Sequence, residues 1–310
     1  VTTLLLTHPI CLEHDTGPGH PERIDRLRAV LAALDVSDFA ALRREEAPAA
    51  TLEQLARVHG FDHVRRLLQI RPEPDELAML DVDTVLSEHS IEAALRAAGA
   101  VVRAVDAVVS GEVANAFCAI RPPGHHAEPL RPMGFCVFAN AAVGARHALS
   151  QHGLERVAVL DFDVHHGNGT QAAFWDEPRV FFASTHQVPL YPGTGLPSER
   201  GPYGQILNLA LDPGCDGRAF RSAWRDQVLP ALEAFGPGLI VVSAGFDAHR
   251  SDPLANLRLD ASDFAWVTEA ILDSAARVCG GRVVSTMEGG YDLAALAESA
   301  AAHVSALMRA

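Results

Sequence analysis

Asp161-Phe162-Asp163-Val164-His165-His166-Gly167-Asn168 sets carboxylates, imidazoles and an amide within eight consecutive residues. The segment follows the apolar run Val157-Ala158-Val159-Leu160, which reads as a buried strand. Side chains alternate faces along an extended chain, so Asp161, Asp163 and His165 should project to one side. Carboxylate oxygens and imidazole nitrogens are metal donors, and Asp163 with His165 can close on one ion. A turn of solvated polar residues is the plainer reading. Its position at the end of a core strand weighs against that, because burying such a cluster is costly unless it is paired or coordinated.

Three protein ligands would leave a position for water or substrate, the mark of a catalytic metal site. Two carboxylates compete for the third place: Asp252, in Ser251-Asp252-Pro253, and Asp247. Spacing alone does not separate them, and a turn before proline is the bland alternative for Asp252. His125-His126 follows the bend Arg121-Pro122-Pro123-Gly124. Adjacent imidazoles can hold different protonation states when each has its own partner, and Asp161 and Asn168 are available. Tyr291 follows Gly289-Gly290, and its phenol could be aimed at a developing oxyanion. Gly134-Phe135 and Tyr191-Pro192-Gly193-Thr194-Gly195 place two aromatics among small residues, a pattern that could wall a narrow slot.

Elements that position these groups alternate along the chain. Strands are expected at 3–6, 115–120, 156–162, 179–184, 239–243 and 282–286. Helices are expected at 21–34, 91–110, 139–152, 218–235, 261–278 and 293–308. The alternation predicts an α/β fold with a mainly parallel sheet in a single domain over residues 1–310. In such sheets ligands bind beyond the carboxyl ends of the strands, where all four polar clusters fall. The longest irregular stretch, Thr185–Pro202, is rich in Pro and Gly.

Composition narrows the classes. With 48% hydrophobic and 21% charged residues, a large core is available. No segment approaches the ~20 apolar residues of a membrane span, and the opening residues lack a basic leader and read as a first strand. The five cysteines are widely spaced with no C-x-x-C pair, which fits a reducing cytoplasm better than a disulfide framework. The net charge is −14, and all 25 basic residues are arginine. Such a surface should repel nucleic acid, and the sequence shows no local basic patch. It would favour a cationic substrate, or serve solubility alone.

Taken in order, these residues resemble the histone deacetylase superfamily, which includes acetylpolyamine amidohydrolases and bacterial deacetylase-like amidohydrolases. The resemblance runs from His14-Asp15-x-Gly17-x-Gly19-His20-Pro21-Glu22-Arg23 through Arg121–His126, Gly134–Cys136, Asp161–Thr170, Ser184–Gln187, Tyr191–Gly195, Ser243–Asp247 and Asp252–Leu254 to Glu288–Tyr291. It looks most like the class II branch, because Asn168 stands where class I members carry aspartate. The resemblance implies an arginase-like fold with an eight-stranded parallel sheet, and one zinc ion held by Asp163, His165 and Asp252. It implies hydrolysis of an acetylated amine on a small molecule or peptide, N-acetyl-lysine first and acetylpolyamine second. His126 would be the general base and then the acid, His125 paired with Asp161 would act electrostatically, and Tyr291 would polarise the carbonyl. A structural potassium ion would sit at Asp161, Asp163, His165, Ser184 and Thr185. Phe135 and Tyr191, with Gly134, match tunnel walls, and Asp83 matches a rim aspartate that grips substrate backbone. Leu259 falls where a polyamine-specific relative carries a gatekeeper glutamate.

Two other readings compete. A binuclear-manganese ureohydrolase would show Asp-x-His-x-Asp, whereas this run is Asp-x-Asp-x-His. A metal-binding sensor that had lost catalysis would lack Tyr291 or the histidine pair, and both are present.

Overall fold

The computed structural model describes residues 2–310. Its strands are β1 (Thr3–Thr7), β2 (Arg43–Glu46), β3 (Ala78–Met79), β4 (Val85–Leu86), β5 (Asn115–Cys118), β6 (Val157–Asp161), β7 (Val180–Gln187), β8 (Ile206–Leu211), β9 (Ile240–Ala244) and β10 (Val283–Met287). β3 and β4 pair only with each other, as a small antiparallel hairpin. The other eight form one sheet in the order β2-β1-β5-β10-β9-β6-β7-β8, and every neighbouring pair is parallel. The fold is therefore α/β with a parallel sheet, as the alternation of elements predicts, and its eight strands match the number that the family resemblance implies.

Helices flank the sheet: α1 (Ile24–Ala33), α2 (Leu52–Leu55), α3 (Phe61–Leu67), α4 (Ser90–Val109), α5 (Asn140–Gln151), α6 (Asn168–Phe174), α7 (Gly217–Ala223), α8 (Leu229–Phe235), α9 (Ala261–Cys279) and α10 (Leu293–Arg309). α9 packs on α10 and α10 on α1, while α4 packs on α5. The strands they cover, β5, β6, β9 and β10, are buried throughout, which explains why they are mostly apolar rather than alternating. α9 begins at a capping box between Asp260 and Asp263 and stops at Gly280, whose φ of 63° closes the helix. No helix among the described residues is long and apolar enough to cross a membrane.

The structure departs from the expected boundaries in two instructive places. α1 starts at Ile24 rather than Pro21, because Glu22 turns into the core before the helix begins. The expected helix over 218–235 is divided. A wide π-helical turn at Trp224–Val228 joins α7 to α8 just ahead of Pro230. A proline ring would meet the carbonyl four residues back in a regular α-helix, and the wider turn avoids that clash.

Candidate active site

β6 ends at Asp161, and the chain then turns instead of continuing extended. The backbone N–H of Asp163 donates to Asp161 Oδ1 at 3.0 Å, and that of His165 donates to Asp163 Oδ1 at 2.9 Å. Two successive turns closed by aspartate side chains, not the strand pleat expected above, therefore gather these groups. Loops after β9 and β10 close over them through glycine. A Cβ at Gly245 would lie 2.0 Å from Asp163 Oδ2, and one at Gly289 would lie 2.0 Å from Asp247 Oδ2. The Gly289 N–H donates to Asp163 Oδ2 at 2.8 Å.

Asp163, His165 and Asp247 offer donor atoms within 4.8 Å of one another. Asp247 is the more fully engaged of the two competing aspartates. Its Oδ1 accepts from the Val164 N–H at 2.8 Å, and its Oδ2 lies 3.0 Å from His165 Nδ1. His165 Nδ1 also lies 3.1 Å from Asp163 Oδ1, so this nitrogen is the one that faces the carboxylates able to hold a metal. Asp252 Oδ2 accepts from the Tyr291 N–H at 2.8 Å, and its Oδ1 from the Leu254 N–H at 2.9 Å. Burial, and then the Asp247 charge, push the Asp252 carboxyl up to about 7. Burial would strip the His165 proton, but hydrogen bonds to Asp163 and Asp247 outweigh it and push that ring up to about 10. A donor set of carboxylate oxygens and one imidazole suits a divalent metal.

The two adjacent histidines are in different electrostatic states. His125 Nδ1 lies 3.0 Å from Asp161 Oδ2. Burial alone would deprotonate it, but the Asp163 and Asp161 carboxylates hold it well above the usual histidine range. His126 Nδ1 lies 2.8 Å from Asn168 Oδ1. Burial, and then the charges of His125 and His165, hold it well below that range. The two rings are thus pushed in opposite directions, with centroids 4.0 Å apart. Glu288 pins their loop, accepting from the Gly124 and His125 N–H groups at 2.7 and 3.1 Å.

A cavity of about 200 Å³ leads to these groups, lined by Asp83, His126, Gly134, Phe135, His165, Leu190, Tyr191, Leu254 and Tyr291. Phe135 has φ 67°, a left-handed conformation costly for a bulky side chain, directly after Gly134 at φ 58°. That strain aims the ring into the cavity, where it meets Tyr291 edge-on at 5.9 Å. Tyr191 meets His126 edge-on at 5.1 Å. Asp83 Oδ1 accepts from the Gly134 N–H and the Thr84 hydroxyl at 3.1 and 3.0 Å, which ties this carboxylate to the loop that carries Phe135.

Leu259 is not part of this wall. It is fully buried, and an isolated bridge to His249 draws it into the core, so Leu190 and Leu254 line the cavity instead. Ser184 is the register partner of Asp161 on the neighbouring strand, with its Oγ 2.9 Å from His186 Nδ1. The Thr185 hydroxyl accepts from the Trp224 indole at 3.1 Å.

Sequence reasoning missed the scaffold beneath the site. Glu22 is buried and binds Arg121 in bidentate fashion, with one contact at 2.6 Å, and Arg26 at 2.9 Å. Arg26 donates to the carbonyls of Gly290 and Glu288, each at 2.5 Å, and its guanidinium lies 4.8 Å from the Tyr291 ring centroid. The spacing of Glu22 and Arg26, one helical turn apart, was the available signal. A second His/Asp cluster joins α4 to α5: Asp106 Oδ1 lies 2.7 Å from Nε2 of both His147 and His152. Arg57 lies 2.6 Å from His147 Nδ1, so that nitrogen accepts and the proton stays on Nε2. The cluster is thereby a hydrogen-bonded clasp between helices.

The Histone deacetylase domain family matches residues 20–307. The chain is 40% identical over 309 residues to "Histone deacetylase 14, chloroplastic" of Arabidopsis thaliana, covering 94% of this chain and 73% of that protein. It is 41% identical over 305 residues to "Histone deacetylase-like amidohydrolase" of Pseudomonas aeruginosa, covering 91% and 80%. It is 38% identical to "Probable deacetylase" of Archaeoglobus fulgidus, covering 94% and 82%. The crystal structure of the HDA15 HD domain superposes with a TM-score of 0.93 at 33% identity, covering 100% of this chain and 89% of that one. Family match, relatives and architecture agree, and the chain belongs to the histone deacetylase family.

Proposed function

We propose that the protein is a zinc-dependent deacetylase that hydrolyses the amide of an N-acetylated amine, N-acetyl-lysine in particular. The observation that carries this reading is the aromatic-walled cavity that ends at His126, His165 and Tyr291. Phe135 and Tyr191 would flank an unbranched alkyl chain and exclude water from it. His126 Nε2 would take a proton from the attacking water and return it to the amine nitrogen as the C–N bond breaks, releasing acetate. His125, held cationic, would offset negative charge at the reacting carbon, and the Tyr291 hydroxyl would donate to the carbonyl oxygen as it becomes anionic. A zinc ion held by Asp163, His165 and Asp252 would supply Lewis-acid polarisation of the carbonyl. A structural potassium ion near Asp161 and Ser184 belongs to the same proposal, supported by their register across β6 and β7. Five unpaired cysteines support placement in a reducing cytoplasm.

Metal analysis and kinetics test this reading together. Purified protein should carry about one zinc per chain, and chelation should abolish hydrolysis until zinc is restored. Asp252→Ala should lose the metal, whereas Asp247→Ala should weaken its binding about 10–100-fold as a support residue. Full activity in a metal-free sample would end the proposal, and the opposite variant result would exchange the two aspartates.

Acetylpolyamine is the second substrate reading. The charge of −14 favours it, as does a groove bordered by Glu13, Asp15, Asp75, Glu76 and Glu88. Acetyl-lysine peptides should nevertheless be turned over at least as well. A kcat/KM for acetylputrescine or acetylspermidine more than about tenfold higher, roughly 1.4 kcal/mol, would reassign the substrate.

A further inference from the structure

We propose that Glu128 is a positioning residue for the histidine base: it holds the Asn168 amide in one orientation and so fixes the tautomer of His126. The inference rests on the reading of His126 as the base. Asn168 presents Oδ1 to His126 Nδ1 at 2.8 Å, and its Nδ2 donates to Glu128 Oε1 at 2.9 Å. The remaining contacts of Nδ2 are longer, 3.4 Å to Met133 Sδ and 3.5 Å to the His126 carbonyl.

An amide has two faces, and only one serves the chemistry. With Oδ1 toward the ring, Nδ1 carries the proton and Nε2 keeps the lone pair that a base needs. With the amide reversed, Nδ2 would donate to Nδ1, the proton would sit on Nε2, and the ring could accept nothing there. Reversal would also point Oδ1 at the Glu128 carboxylate, setting two acceptors against each other. Glu128 is itself held by a closed turn, its N–H donating to the Arg131 carbonyl at 2.9 Å. Its side chain lines a surface groove with Asn168, Gln171, Ala172, Trp175 and Thr194, separate from the substrate cavity. Glu128 therefore touches neither substrate nor the reacting atoms and acts only through Asn168.

A double-mutant cycle distinguishes positioning from general structural support. Glu128→Ala should lower kcat about tenfold, with KM changed less than about twofold. In an Asn168→Asp background, where a carboxylate has no wrong face and would lie against the Glu128 carboxylate, the same change should cause no loss of kcat and can raise it. Glu128→Gln, whose amide oxygen can take the same bond, should retain most of kcat. Nitrogen-15 spectra of histidine-labelled zinc enzyme give a readout independent of turnover. The signals missing from His126→Ala should show a protonated Nδ1 in the wild type and a mixture of tautomers in Glu128→Ala. An equal loss in both backgrounds, or a protonated Nε2 in the wild type, overturns the inference, and the second holds even where Glu128→Ala fails to fold. A wild-type enzyme that hydrolyses no acetylated amine removes the proposed function and leaves the tautomer measurement standing.

Discussion

At the scale of single residues, the proposed chemistry divides one kind of side chain into two roles. His125 and His126 are neighbours in sequence, yet the Asp163 and Asp161 carboxylates outweigh burial and hold the first well above the usual histidine range, while burial and the charges of His125 and His165 hold the second well below it. His126→Ala should therefore lower kcat by roughly 10²-fold or more with little change in KM, since it removes proton transfer and leaves the cavity walls in place. Near-native kcat would take the residue out of the chemistry. Asp83 calls for a subtler substitution. One of its oxygens holds the Gly134 N–H, so Asp83→Ala would disturb the strained Phe135 as well as any substrate contact. Asp83→Asn keeps an acceptor for Gly134 and removes the charge. It should weaken peptide substrates by about 1–3 kcal/mol relative to acetylated small amines, if a backbone hydrogen bond to a charge is lost. An equal effect on both substrates would place Asp83 in the frame of the cavity instead of at its rim.

At the scale of elements, the buried Glu22 ties the approach to α1 to the loops after β5 and β10. Glu22→Ala would leave two guanidiniums buried and unpaired, and should cost about 3–5 kcal/mol of stability, read from the denaturation midpoint. A loss below about 1 kcal/mol would show that water or neighbouring carbonyls replace the carboxylate. The same elements show what was legible beforehand. β5, β6, β9 and β10 were readable because strands buried on both faces are mostly apolar and lack the alternation of a half-exposed strand. β2 was not: Arg43-Arg44-Glu45-Glu46 is a charged edge strand, paired only with β1 and held outside by ion pairs to Arg103 and Glu112. The Asp161–Asn168 constellation was readable because its groups are nearly consecutive. Its geometry was not, since nothing in the composition says that Asp161 and Asp163 will close turns on themselves. Glu128 stayed silent for a related reason, as its meaning depends on which way an amide faces across α6.

At the scale of the whole molecule, charge is less even than the composition implies. Arg218, Arg221, Arg225, Arg250 and Arg258 gather around one groove of about 580 Å³, a local basic patch that the sequence reading did not find. Asp216, Asp260 and Asp263 sit among them, with Arg221 paired to Asp263 at 2.7 Å, and Arg221 and Arg225 lie over the Trp266 ring. The sheet order has a different reach. β10 comes last in the chain and lies in the middle of the sheet, between β5 and β9. A nascent chain that stops short of Val283 holds two half-sheets, β2-β1-β5 and β9-β6-β7-β8, each with a bare inner edge. Bare parallel edges recruit neighbouring chains, so protein truncated after residue 282 should precipitate or self-associate during synthesis. Soluble, monomeric truncated protein would refute this. Insertion of β10, Val283–Met287, between the two half-sheets should therefore close both bare edges and set the following residues, Glu288–Tyr291, at the active site.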